Sequence, residues 1–212
     1  MIVEPRCHKA LSFVLNNILT NLSNDWNVIV FHGSKNGEYV EQIIQTDLSQ
    51  YAKRITLHNL GVENMTVNDY NKLLATKSFY DYIPTEMFLV FQTDSMIIPK
   101  YAFFINAFLN YDYVGAPWKD NTVGNGGFSL RRKSKMLEVI ERVPYHYGLN
   151  EDVYFSKSLQ DIYKPSVEEA KRFSVETVFS DMVFACHKPW CYEEGIEFMK
   201  AFPETYALSS LQ

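Results

Sequence analysis

The chain has 212 residues, 47% of them hydrophobic and 21% charged, enough for one globular domain with a substantial core and too little for two. Its formal net charge of −5 provides no global positive field, so neither nucleic acid nor an anionic membrane is expected as a partner and a polyanion must be bound by a locally built pocket. Cys7, Cys186 and Cys191 lack the paired spacing of a zinc site or a disulfide framework, no apolar run approaches the roughly 20 residues of a membrane span, and the start is unlike a signal peptide. A soluble, cytoplasmic protein is therefore expected, although the abrupt ends also suit a domain cut from a longer chain.

Helix and strand patterns alternate along the first half. Residues 2–4 form a short strand, and 10–22 carry Leu11, Val14, Leu15, Ile18, Leu19 and Leu22 at helical spacing. Strands over 27–32 and 55–60 flank a helix over 39–45, and a helix over 67–82 must stop before Pro84. The run Met87-Phe-Leu-Val-Phe91 is the most apolar in the chain and predicts a central strand buried on both faces. Shorter strands are expected at 113–116, 127–130 and 173–178, with helices at 134–142 and 152–162. No internal repeat or linker divides the chain, so a single domain over 1–212 is expected, of the α/β class with a mixed, mostly parallel sheet flanked by helices.

Open α/β sheets bind ligands at the carboxyl ends of their strands, and four such ends interrupt apolar runs with polar residues: Glu4-Pro-Arg6, Phe31-His-Gly-Ser-Lys-Asn36, Gln92-Thr-Asp-Ser95 and Ala185-Cys-His187. A carboxylate where the central strand emerges suits a hard divalent cation, which makes Asp94 a candidate metal ligand; a turn-capping Asp is the competing reading. Three glycines in Gly124-Asn-Gly-Gly-Phe-Ser-Leu-Arg131 let the backbone approach a ligand closely, or simply make a tight hairpin. In Asn150-Glu-Asp-Val-Tyr-Phe155, Asn150 reads as a helix N-cap and Glu151 and Asp152 as first-turn acids favoured by the helix dipole.

Taken in order, Val3-Glu-Pro-Arg6, Phe31-His-Gly-Ser-Lys-Asn36, Phe91-Gln-Thr-Asp94, the glycine turn, Glu151-Asp152, and Phe173-Ser-Val-Glu176 with His187-Lys-Pro-Trp190 resemble GT-A type glycosyltransferases. The resemblance is to the galactosyltransferase-like DUF5672 family, and the chain also looks like the glycosyltransferase domains of chlorella-virus capsid-glycan enzymes. It implies a GT-A fold and transfer of a hexose from a UDP-sugar to a carbohydrate or glycoprotein-glycan hydroxyl, with Mn²⁺ or Mg²⁺ as Lewis acid on the leaving diphosphate. The usual first acidic residue of the metal segment is Gln92 here, so the resemblance implies His187 as the second ligand beside Asp94. It places the nucleotide at Glu4, Pro5, Arg6, Gly33, Lys35 and Asn36, with Thr93 beside the metal ligand. Lys77 lies near the donor, where a solvated surface lysine is the competing reading, and the sugar meets Asn125, Gly126 and Gly127. Asp152, with Glu151 beside it, is implied to face the reacting sugar as a base for an inverting transfer or as a donor-orienting group in a retaining one.

Two other functions remain in view. A sugar nucleotidyltransferase shares the frame, but its glycine-rich loop after the first strand is replaced by Glu4-Pro-Arg-Cys-His8. A catalytically silent carbohydrate-binding module is favoured by Gln92. His8 and His32 have no partner at a metal-binding spacing and read as structural.

Overall fold

A computed structural model of the chain describes residues 1–193 and 195–212. In chain order the strands are β1 (Ile2–Glu4), β2 (Val28–His32), β3 (Ile55–Asn59), β4 (Met87–Phe91), β5 (Ser95–Ile97), β6 (Tyr113–Val114), β7 (Phe128–Arg132), β8 (Ser174–Val175) and β9 (Ala185–His187). The α-helices are α1 (Leu11–Asn21), α2 (Gly37–Thr46), α3 (Val67–Leu74), α4 (Lys133–Arg142), α5 (Glu151–Lys157), α6 (Val167–Phe173), α7 (Gly195–Ala201) and α8 (Thr205–Ser209).

The first half is a parallel sheet with β2 between β1 and β3. β4 lies along the free side of β1, where the Phe91 N–H donates to the Met1 carbonyl at 3.1 Å and the Met1 amine donates to the Leu89 carbonyl. Beyond β4 the sheet turns antiparallel, through β7 and then β6. A separate small sheet has β9 between β5 and β8.

Strand alternation divides the core in two. Leu89 and Phe91 of β4 join Val28 and Val30 of β2 in a cluster with α1. Phe88 and Val90 face the other way with Phe31, onto Leu74, Phe79, Tyr80, Met136 and Phe155. The expected two-faced burial of the central strand is thus observed, each such aromatic or leucine contributing about 1.5–3 kcal/mol. α1 docks through a polar contact as well: buried Asn17 donates to the Ile97 carbonyl at 2.9 Å and accepts from the Ile97 N–H at 2.7 Å, fixing β5.

Three expected elements differ. The helix over 67–82 breaks at extended Thr76 (φ −103°, ψ 126°) into α3 and a 3₁₀ segment, Lys77–Tyr82. The break turns Phe79 and Tyr80 into the core beside Leu74, whose carbonyl accepts from the Tyr80 hydroxyl at 2.9 Å. The helix over 152–162 ends at Lys157, where Lys164 Nζ satisfies the Ser156 carbonyl at 2.6 Å. The strand over 173–178 shrinks to β8 because Phe173 closes α6 with its ring in the core. No helix among the described residues is long and apolar enough to cross a membrane, and the three cysteines are free.

Candidate functional site

The carboxyl ends of β1 and β4, the glycine turn before β7, the start of α5 and the loops flanking β8 and β9 enclose a polar cleft of about 400 Å³. Its lining includes Glu4, Pro5, Arg6, Thr93, Asp94, Asn125, Gly126, Gly127, Glu151, Asp152 and His187, so residues scattered over 180 positions of sequence meet in one place. A second, more apolar cavity of about 270 Å³ lies at the amino ends of β2 and β4; its arginine, Arg54, is spent on the carbonyls of Leu19, Leu22, Ser23 and Trp26, and no cluster of reactive groups faces it.

Five carboxylates line the cleft against the cations of Arg6 and Lys188, and their partners differ. Glu4, 3% exposed, is held by Arg6 through Nε and an Nη nitrogen, each at 2.8 Å, and this hydrogen-bonded carboxylate raises the Arg6 pKa. Glu151 is tied to Arg131 by two bonds, 2.6 and 2.9 Å. Arg131 is fully buried and lies over the rings of Tyr113 and Phe155, 5.0 and 5.7 Å from their centroids. Burial disfavours both charges: it outweighs Arg131 at Glu151 and raises that carboxyl, while the carboxylate holds the guanidinium above its ordinary value. Glu151 is therefore an anchor for the first turn of α5 and has no oxygen free for a reacting sugar.

Asp152 stands apart. Its oxygens accept only backbone N–H groups, from Gly126 at 3.2 Å and from Val153 at 2.7 Å, and among the described residues no cationic side chain neutralises it. The N-cap differs from the sequence expectation: the Asn150 side chain makes no cap bond, and the Glu151 N–H is instead accepted by Asn71 Oδ1 at 3.2 Å, reaching across from α3.

Asp94 and His187 meet where β4 leaves the sheet and β9 ends. His187 Nε2 is 3.2 Å from Asp94 Oδ1 and Nδ1 is 3.1 Å from Glu176 Oε1, yet neither ring nitrogen nor Asp94 Oδ1 has an aligned hydrogen bond. Burial pushes the Asp94 carboxyl up, but the imidazole and Lys188 more than offset it, leaving it below its ordinary value. Burial likewise lowers the His187 pKa, and the two carboxylates more than offset that in the other direction. Lys188 adopts left-handed backbone angles (φ 37°, ψ 44°), a strain of order 1–3 kcal/mol for a side chain with a Cβ, and its N–H donates to the Asp94 carbonyl at 2.8 Å.

The glycine turn fits between these groups. A Cβ on Gly126 would come within 2.5 Å of Glu151 Oε1 and 2.8 Å of the Asp152 Cβ, and one on Gly127 within 2.1 Å of the His187 ring. Gly127→Ala is accordingly expected to drive the His187 ring from its place and to destabilise the chain by about 1–3 kcal/mol. Thermal unfolding together with the His187 imidazole resonances checks this; an unmoved ring would refute it.

Four residues expected to touch a nucleotide, Gly33, Lys35, Asn36 and Lys77, lie elsewhere, and the Lys35 ammonium pairs with Glu63 at 2.6 Å on the surface. Asn36 is buried with its side chain spent: Oδ1 accepts from the Gly33 N–H at 2.8 Å and Nδ2 donates to the carbonyls of Glu4 and Arg6, each at 2.9 Å. Gly33 is needed because a Cβ there would sit 2.8 Å from the carbonyl oxygens of Pro5 and Val62. Both shape the β1 loop from behind. Lys77 is exposed at the start of the 3₁₀ segment, outside the cleft lining. His8 accepts from the Ala10 N–H at 3.2 Å just before α1, and His32 Nδ1 meets the Gly33 carbonyl at 2.7 Å. Sequence reasoning gave no role to Glu176, although it closes the quoted Phe173-Ser-Val-Glu176 segment. Asn71 and Tyr70 on α3 also line the cleft and carried no signal.

No curated protein matches the chain. Among solved structures, TarS residues 1–349 of S. aureus align over 98% of this chain and 64% of that one, with a TM-score of 0.53 and 11% identity. HddC from Yersinia pseudotuberculosis aligns over 77% of this chain and 88% of its own (TM-score 0.49, 14% identity). The mannosyltransferase PcManGT from Pyrobaculum calidifontis, in complex with GDP-Man and Mn²⁺, aligns over 78% and 53% (TM-score 0.49, 12% identity). The likeness to TarS is one of fold, and with the mixed sheet it shows the α/β architecture of the GT-A type. The model of the family described as "protein of unknown function (DUF5672)" matches residues 54–191, well over half of the chain and the part that carries Asp94, the glycine turn, the acidic pair, Glu176 and His187, and the chain belongs to that family.

Proposed function

We propose that the chain transfers a hexose from a nucleoside-diphosphate sugar, with a UDP-sugar as donor, to a carbohydrate or glycoprotein-glycan hydroxyl, in a reaction that needs Mn²⁺ or Mg²⁺. The observation that carries this reading is the un-neutralised carboxylate of Asp152, set against the glycine turn in the same cleft as Asp94 and His187. The likeness to viral capsid-glycan enzymes rests on sequence motifs alone.

The cleft fits a dication on two counts. With Glu4 paired to Arg6 and Glu151 to Arg131, Asp94, Asp152 and Glu176 face Lys188 alone among the lining cations, so a diphosphate bearing several negative charges needs added positive charge to enter. Asp94 Oδ1 and His187 Nε2 are buried without aligned hydrogen bonds and 3.2 Å apart, close to the about 3.0 Å between neighbouring octahedral ligands at about 2.1 Å. Among the described residues no three His, Cys, Asp or Glu side chains are grouped to hold a metal ion, so Asp94 and His187 are the side chains that would hold the cation. When bound, the cation supplies Lewis-acid stabilisation of the leaving diphosphate. Glu4, Pro5 and Arg6 form one wall for the nucleotide. Thr93, Asn125 and the backbone of Gly126 and Gly127 meet the sugar, and Asp152 accepts the acceptor's proton or orients the donor.

Asp94→Ala is expected to abolish Mn²⁺-dependent UDP binding by titration calorimetry and the slow release of UDP from UDP-sugars; unchanged binding would sink the cation assignment. A second reading, a catalytically silent carbohydrate-binding module, is favoured by Gln92 at the usual acidic position, and sugar binding without nucleotide or metal would establish it instead.

A further inference from the structure

One buried ionisable group of the cleft has no part in that reaction. Glu176 follows β8 and is 5% exposed, and a carboxylate so placed is costly unless its oxygens are engaged. They are engaged on several sides. Oε2 accepts from Asn125 Nδ2 at 2.8 Å, Oε1 accepts from the Tyr192 hydroxyl at 3.3 Å, and the same Oε1 stands 3.1 Å from His187 Nδ1 and 3.8 Å from Lys188 Nζ.

A neutral imidazole offers a lone pair on one nitrogen only, and the group facing the other nitrogen decides which. His187 lies between two carboxylates, Glu176 at Nδ1 and Asp94 at Nε2. They are not equivalent: the Glu176 side chain is 5% exposed and that of Asp94 26%, so the charge of Glu176 is the less screened by water. Gly127 packs against the ring.

We propose that Glu176 is the positioning residue of the cation site: it holds the His187 proton on Nδ1, so that the Nε2 lone pair points at Asp94. Through Asn125 the same carboxylate fixes the glycine turn, so the cation side and the sugar side of the cleft share one support. The tautomer belongs to the metal-free chain, and only its consequence for metal affinity rests on the reading of Asp94 and His187 as ligands.

The test uses the full chain labelled with nitrogen-15 at histidine, metal-free and at alkaline pH, read by two-bond proton–nitrogen correlation. His187 is expected as the Nδ1–H tautomer in the unaltered chain and in Glu176→Gln, whose amide oxygen can take the place of the carboxylate oxygen 3.1 Å from Nδ1, and as a shifted or mixed tautomer in Glu176→Ala. Mn²⁺ titration followed by electron paramagnetic resonance should show affinity falling roughly 10- to 100-fold in Glu176→Ala and largely kept in Glu176→Gln. An Nε2–H tautomer in the unaltered chain, or an unchanged Nδ1–H tautomer in folded Glu176→Ala, overturns the proposal. The expected tautomers with no Mn²⁺ binding by any chain uphold the positioning role and sink the cation reading instead.

Discussion

Arg131→Met is expected to destabilise the chain by about 3–5 kcal/mol, the loss that follows when one partner of a buried ion pair is removed and the other is left charged in the core. The Arg131 and Glu151 side chains are 0% and 4% exposed, and Nε of the guanidinium also donates to Ser129 Oγ at 2.9 Å. Urea unfolding measures the loss. The double variant Arg131→Met with Glu151→Leu should regain most of it, because an apolar pair of similar volume replaces ion-pair attraction without the desolvation penalty. A single variant within 1 kcal/mol of the parent would show that the pair does not anchor α5.

Asp152→Asn is expected to lower sugar transfer roughly 10²- to 10⁴-fold, the range attached to a positioned general base, while Mn²⁺-dependent UDP binding stays within about 3-fold, a difference under 1 kcal/mol. The amide keeps an oxygen acceptor for one of the two backbone N–H groups that Asp152 now satisfies, so the start of α5 should hold. The contrast with Glu151 is the point of the measurement. Adjacent acids in one helical turn look alike in sequence, but one is neutralised by Arg131 and the other meets only backbone. Turnover unaffected in Asp152→Asn, with donor binding intact, would remove Asp152 from the chemistry.

The elements legible in sequence are those whose burial is periodic. α1 shows its apolar face at every third or fourth residue, and β4 is apolar throughout because both of its faces are covered. β5 and β9 have three residues each, too few for a period, and they exist because each finds the other. The 3₁₀ segment Pro99–Phe108 likewise follows from packing rather than from any local pattern. Of the site, the order of motifs brought Asp94, the glycine turn, the acidic pair and His187 together. Polar character at a strand end does not say which way a side chain faces. Asn36 has the composition of a ligand-binding residue and spends all of its hydrogen-bonding groups on three backbone partners. Asn71 caps a helix 80 positions away, a relation that neither segment hints at.

The pairing of β5 with β9 sets Ser95 opposite His187, joining stretches of chain about ninety residues apart. Closing so long a loop costs chain entropy, which the ladder and the core beneath it offset. The cleft thus depends on a non-local ladder: any change that unpairs β9 takes the imidazole away from Asp94 without touching either residue.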